Sequence, residues 1–144
     1  MTRRNGRHHP SFPVPGGVMF RVLCVDDNRD IADSEVQLLQ VCGFDARACY
    51  DGPEALALAA TFRPTVCLID LNMPGMNGDE LAVRLRKQEG GPPPVLMAVT
   101  ARDDEQSQSR IRAAGLTPHL VKPVDPRLLL AAVTTAAESH VPAG

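Results

Sequence analysis

Val66-Cys67-Leu68-Ile69-Asp70-Leu71-Asn72-Met73-Pro74-Gly75 is an apolar run that ends in a lone carboxylate and then a Pro-Gly turn. Its partly β-branched residues read as a strand buried on both faces, as in a parallel sheet. Asp70 closes that strand. A carboxylate there lies at the carboxyl edge of the sheet, where open α/β sheets bind their ligands. A single Asp in such a place has an ordinary reading as a turn residue, so its weight depends on what the other strand ends carry.

Outward from this stretch, strands and helices alternate. Upstream, Phe20 to Val25 is an apolar strand ending in Asp26-Asp27-Asn28, and Ile31 to Cys42 places Ala32, Val36 and Leu39 at helical spacing. Asp30, Asp33 and Glu35 stand early in that helix, as its dipole prefers, and Gly43 stops it. Phe44 to Cys49 is a short second strand. Asp51-Gly52-Pro53-Glu54 is a capping box with proline in the first turn, opening a helix through Ala60 with Leu56 and Ala59 or Ala60 inward.

Downstream, Asn77-Gly78-Asp79-Glu80 is a cap signal for a helix carrying Leu81 and Leu85 that stops at Gly90-Gly91 and the prolines after it. Val95 to Val99 is a fourth strand, ending at Thr100. Asp103 to Ala114 is a polar helix anchored by Ile111 and a few alanines and closed by Gly115. A short fifth strand, about Pro118 to Val121, leads to Lys122-Pro123. Asp125 then caps a last helix from Pro126 to about Glu138, with Val124 placed to staple against Leu129. Five such alternations predict an α/β fold, a parallel five-stranded sheet with helices on both faces.

Composition sets outer bounds. The chain has 144 residues, 44% hydrophobic and 22% charged, which suits one globular module with an aliphatic core. Residues 1 to 18 form a Pro/Gly-rich tail bearing Arg3, Arg4 and Arg7, and adjacent His8 and His9 there are read as having no metal role. The rest is acidic and shows no nucleic-acid footprint. Cys24, Cys42, Cys49 and Cys67 lack metal-ligand spacing and read as reduced thiols of a cytoplasmic protein, Cys24 and Cys67 in the core. No apolar stretch approaches a membrane span, and the two early arginines precede no signal core.

The strand ends carry Asp26-Asp27, Asp70, Thr100 and Lys122, the second strand contributing no such group. Carboxylates that converge repel one another by about 4 kcal/mol per pair at 4 Å and an effective dielectric near 20. They need a cation, and hard oxygen ligands with room for water suit Mg²⁺ or Mn²⁺. Lys122 and Thr100 suit phosphoryl oxygens, and Asp70 is a carboxylate nucleophile. Together these groups can perform phosphoryl transfer onto Asp70. Taken singly, Thr100 could cap a helix, Lys122 could be a solvated strand end and Asp26-Asp27 a turn.

Over about residues 20 to 138 the sequence resembles the receiver domains of two-component response regulators. The resemblance rests on Val25-Asp26-Asp27-Asn28, Asp70-Leu71-Asn72-Met73-Pro74-Gly75-Met76-Asn77-Gly78, Thr100-Ala101 and Lys122-Pro123-Val124. It implies a flavodoxin-like doubly wound (βα)5 fold in three α/β/α layers, with a receiver domain at 19–139 between tails 1–18 and 140–144. It also implies that Asp70 is the phosphoacceptor and that Asp27, Asp70 and the Asn72 main-chain carbonyl hold Mg²⁺, with Asp26 acting through water. Lys122 would pair with the phosphoryl group, Thr100 would be drawn toward it, Ala101 would leave the site open, and Lys122-Pro123 would be cis. Receivers often carry Tyr or Phe where this chain has His119. A charged imidazole is less suited to turning inward, which puts the usual aromatic switch in doubt and leaves either a solvated or a partner-contact role.

The implied partner is a histidine kinase or a histidine phosphotransfer protein, with no direct nucleic acid or membrane contact. The protein would catalyse its own aspartyl phosphorylation and dephosphorylation rather than act as an enzyme on a separate substrate. With no effector in the sequence, the expected output is protein binding, onward transfer, or service as a phosphate sink. An unphosphorylated adaptor is the alternative, opposed by the intact acidic set. A D-x-D aspartyl phosphatase is disfavoured because Asp26-Asp27-Asn28 lacks that spacing, and a flavin protein because no phosphate loop follows the first strand.

Overall fold

The computed structural model describes residues 19–116 and 119–140. Of the expected tails, residues 1–18 and 141–144 lie outside the described residues, as does Pro118, whereas His140, expected to open the second tail, belongs to the last helix. The strands are β1 (Arg21–Val25), β2 (Asp45–Cys49), β3 (Val66–Asp70), β4 (Val95–Thr100) and β5 (His119–Val121). The helices are α1 (Arg29–Val41), α2 (Gly52–Phe62), α3 (Gly78–Lys87), α4 (Glu105–Ala114) and α5 (Pro126–His140). All strand pairs are parallel, in the order β2-β1-β3-β4-β5. This is the α/β, doubly wound five-stranded arrangement read from the sequence.

Strand periodicity divides the core between the two faces of the sheet. Leu23, Cys67, Ile69 and Ala98 lie with α2, α3 and α4, against Ala55, Leu81 and Ile111 among others. Val22, Cys24, Leu68 and Met97 lie with α1 and α5, against Leu39, Leu129 and Val133. Every residue of β3 is buried because the strand is central and helices cover both its faces. Among the described residues no helix is long and apolar enough to cross a membrane.

Local chemistry sets the helix starts. The Asn28 side chain accepts from the Ile31 N–H at 3.2 Å, Asp104 from Ser107 at 2.8 Å, and Asp125 from Arg127 at 2.8 Å. Asp51 accepts from the Glu54 N–H at 2.8 Å while Glu54 reaches back to the N–H of Tyr50, so the capping box closes one residue before the cap. Asn77 departs from expectation. It makes no side-chain cap and instead accepts from the Met73 N–H at 3.4 Å across the turn that follows β3.

Several boundaries also move. Helix α2 runs to Phe62 rather than Ala60, because buried Phe62 extends its apolar face and Arg63 closes it in a left-handed conformation at φ 55°. Its inward residues are Ala55 and Ala59, with Leu56 half-buried and Ala60 exposed. Helix α3 ends at Lys87, before the glycines, and α5 continues to His140.

Candidate functional site

The sheet order changes direction between β1 and β3: the chain leaves β1 for β2 on one side and returns to β3 on the other. The carboxyl ends of these strands therefore open a crevice. One oxygen each from Asp26 and Asp27, just after β1, and from Asp70, at the end of β3, lie within 4.8 Å of one another. Asp26 and Asp70 are buried, whereas Asp27 is exposed. Lys122 arrives from the end of β5, its Nζ 2.8 Å from Asp26 Oδ2 and 3.5 Å from Asp70 Oδ1.

One ammonium does not neutralise this cluster. Burial, then Asp26, raises the Asp70 carboxyl from its ordinary 3.8 to about 7, with Lys122 opposing. Burial also works against the charge on Lys122, but Asp26 and Asp70 outweigh it and hold the ammonium above its ordinary range. Asp26 Oδ1 accepts the Asn28 N–H at 2.9 Å. Asp26 Oδ2 is buried and has only the charge contact with Lys122, without a well-directed hydrogen bond. A buried carboxylate oxygen left in this way, beside two more carboxylates, fits a hard divalent cation.

The other residues singled out from the sequence fall around this cluster. Thr100 ends β4 fully buried, and its Oγ1 accepts the Arg102 N–H at 3.1 Å. Ala101 follows it, exposed. The Asn72 N–H approaches Asp70 Oδ1 at 3.4 Å, while its side-chain oxygen is held from α4 by Arg110 at 2.8 Å. The Lys122-Pro123 bond is cis. His119 is not drawn into the crevice. Its Nε2 lies 3.0 Å from Asp103 Oδ1 at the rim, so neither free solvation nor an inward aromatic position describes it.

Two residues of the site region escaped the sequence reading. Glu35 was expected as an early helix acid, but only Asp30 lies in the first turn and Glu35 is buried, 8% exposed. It lines a cleft of about 420 Å³ between α1 and the segment from Lys122 to Leu129. Burial, then Asp26, raises its carboxyl from 4.5 to about 8, with Lys122 opposing and Asp70 adding to the rise. Glu35 shares the stripe of Ala32 and Leu39 in steps of three and four, and that spacing was the available signal. Arg110 is the other. In the sequence it is one residue of a polar helix, yet it reaches the turn after β3.

The family model for the response regulator receiver domain matches residues 22–134. The DNA-binding response regulator MtrA of Mycobacterium tuberculosis is 34% identical over 113 residues, which are 78% of this chain and 48% of that protein. A response regulator receiver protein of Anaeromyxobacter is 39% identical over 112 residues, 77% of this chain and 46% of its own length. The chain thus spans about half the length of these curated relatives. Among solved structures, the chemotaxis response regulator CheY4 of Vibrio cholerae is similar with a TM-score of 0.76 at 33% identity, covering 83% of this chain and 99% of that one. A CheY-like receiver domain protein of Methanospirillum hungatei superposes with a TM-score of 0.77 at 28% identity, covering 85% and 97%.

Proposed function

Because the chain belongs to the response regulator receiver domain family, we propose that Asp70 accepts a phosphoryl group from the phosphohistidine of a histidine kinase or histidine phosphotransfer protein. An Asp70 carboxylate oxygen forms the new bond to phosphorus as the bond from phosphorus to imidazole nitrogen breaks, and the leaving imidazole takes up a proton. When bound, Mg²⁺, or Mn²⁺, supplies the positive charge that gathers phosphoryl oxygens against carboxylates. Asp27, Asp70 and the Asn72 main-chain carbonyl would hold it, with Asp26 acting through water.

Lys122 places a second positive charge beside the acceptor oxygen. Thr100, at the adjoining strand end, offers a hydroxyl that can exchange its contact with the Arg102 N–H for a phosphoryl oxygen. The acyl phosphate then shifts the surface formed by α4, β5 and α5, to which Ala101, His119 and Pro123 contribute. A receiver fed by such a kinase works in the cytoplasm, and the acidic balance of its globular part favours a protein partner over nucleic acid. The receiver domain of the proposal spans 19–139, flanked by the two tails.

The observation that carries this reading is the convergence of three carboxylates, two of them on the single ammonium of Lys122, with the buried Asp26 Oδ2 left without a well-directed hydrogen bond. A fold kept only as a binding adaptor has no need of that repulsion. Incubation with acetyl phosphate, with and without Mg²⁺, followed by intact mass, tests it. A gain of roughly 80 Da that requires Mg²⁺ and is lost in Asp70→Ala is expected. If neither this adduct nor beryllofluoride binding is found, the adaptor reading takes its place.

A further inference from the structure

Arg110 joins α4 to the turn after β3. Its Nε and Nη2 donate to Asp79 Oδ2 and Oδ1, both at 3.0 Å, in a two-pronged pair with α3. Its Nη1 donates to Asn72 Oδ1 at 2.8 Å and its Nη2 to the Leu71 carbonyl at 3.3 Å. The Leu71 carbonyl also accepts the Gly78 N–H at 2.9 Å, so it is held from two sides. Helix α4 itself buries only Ser107, Ile111 and Ala114. Arg86 of α3 donates to the Ala114 carbonyl at the far end of the helix, so Arg110 is the tether that joins α4 to the turn after β3.

The place of this grip matters more than its strength. The peptide joining Leu71 to Asn72 lies one residue beyond Asp70, and its N–H, that of Asn72, approaches the Asp70 carboxylate. Turning that peptide, or the Asn72 side chain, breaks bonds to Arg110. A guanidinium suits the task because its donors are fixed in one plane and can hold three acceptors at once, which a flexible ammonium cannot. The pair is ionised, since the Arg110 hydrogen bonds hold the Asp79 carboxyl below its ordinary range.

We propose that Arg110 is a positioning residue that sets the Leu71–Asn72 turn for cation binding, and so couples filling of the acidic site to the seating of α4. The inference rests on the reading of Asp26, Asp27 and Asp70 as a Mg²⁺ site. Coupling of this kind is reciprocal: whatever steadies α4 tightens cation binding, and a bound cation steadies α4.

The test measures Mg²⁺ affinity by calorimetry and amide hydrogen exchange with and without Mg²⁺, for the wild type, Arg110→Gln, Arg110→Lys and Asp79→Asn. Arg84→Gln, which removes an exposed pair with Glu80, is the control. Arg110→Gln should weaken Mg²⁺ binding about tenfold, the low end for loss of a group that orients a metal ligand. In EDTA it should speed exchange over residues 71–77 while leaving the central strands protected. Mg²⁺ should slow exchange in α4 of the wild type and not of this variant, and Arg110→Lys should not restore the response.

If Arg110→Gln does not fold, Asp79→Asn, which frees the fork, should show the same changes at smaller size. Wild-type affinity and an intact α4 response in the variants, even with a lowered melting temperature, would overturn the proposal, as would full rescue by lysine. If the wild type binds no Mg²⁺, the reading of the acidic site fails by itself. The clamp is then judged by the EDTA exchange, and unchanged protection at 71–77 in Arg110→Gln overturns it.

Discussion

Replacing Glu35 by glutamine should make the metal-free protein more stable, and increasingly so as pH rises. Burial, then Asp26 and Asp70, raises this carboxyl from 4.5 to about 8 against the pull of Lys122. Between those values the folded protein holds a proton that the unfolded chain has released. Stability therefore falls as pH climbs through that window, toward a charged carboxylate buried without a partner. At about 1.4 kcal/mol per pKa unit, the shift sets an upper figure near 5 kcal/mol above pH 8 and about 3 kcal/mol at pH 7. Glu35→Gln keeps the shape and removes the proton equilibrium. Urea unfolding of both proteins at pH 5, 6, 7 and 8, followed by circular dichroism, reads the difference. EDTA must be present, because a bound divalent cation reverses the local preference for protonated carboxyls. Near-equal stabilities at pH 5 and a lead for the variant of at least about 1 kcal/mol at pH 8 are expected. A difference that is flat with pH, or that shrinks toward pH 8, refutes the placement of a neutral Glu35 beside the acidic cluster.

Asp27→Ala should weaken Mg²⁺ binding most among single changes to the acidic residues, a ranking that calorimetric titration of Asp26→Ala, Asp27→Ala and Asp70→Ala can reverse. Gly78→Ala should destabilise the fold by about 1 to 3 kcal/mol in urea unfolding, because a new Cβ would collide with the Asp70 carbonyl oxygen and lie 2.9 Å from the Leu71 Cα. Its Mg²⁺ affinity should fall too, since the displaced atoms belong to the turn that bears Asn72. Of the four free thiols, half-buried Cys42 should react first with a thiol reagent, and Cys24 and Cys67, fully buried with their thiols pushed up by burial, only on unfolding. Mass-resolved labelling that finds Cys24 or Cys67 modified first in the native protein would contradict that core.

The sequence by itself determined the order of strands and helices, because apolar runs, caps and glycine stops act within a few residues of one another. It also determined that Asp26, Asp27, Asp70, Thr100 and Lys122 share one edge, since in a parallel sheet every strand ends on the same side. The tertiary structure alone decided what these groups meet: that Lys122 pairs with both Asp26 and Asp70, that the buried Asp26 Oδ2 has the charge of Lys122 but no well-directed hydrogen bond, and that His119 turns to Asp103. Glu35 lay between these cases. Its spacing from Ala32 and Leu39 marked it as inward, but its closeness to the acidic cluster depends on how α1 packs along β1 and against the segment from Lys122 to Leu129. Arg110 had no local signal, its partners Asp79 and Asn72 being 31 and 38 residues away. Backbone periodicity is a local property and can be read along the chain, whereas the partner of a charged side chain is settled only when distant segments are packed together and water is excluded between them.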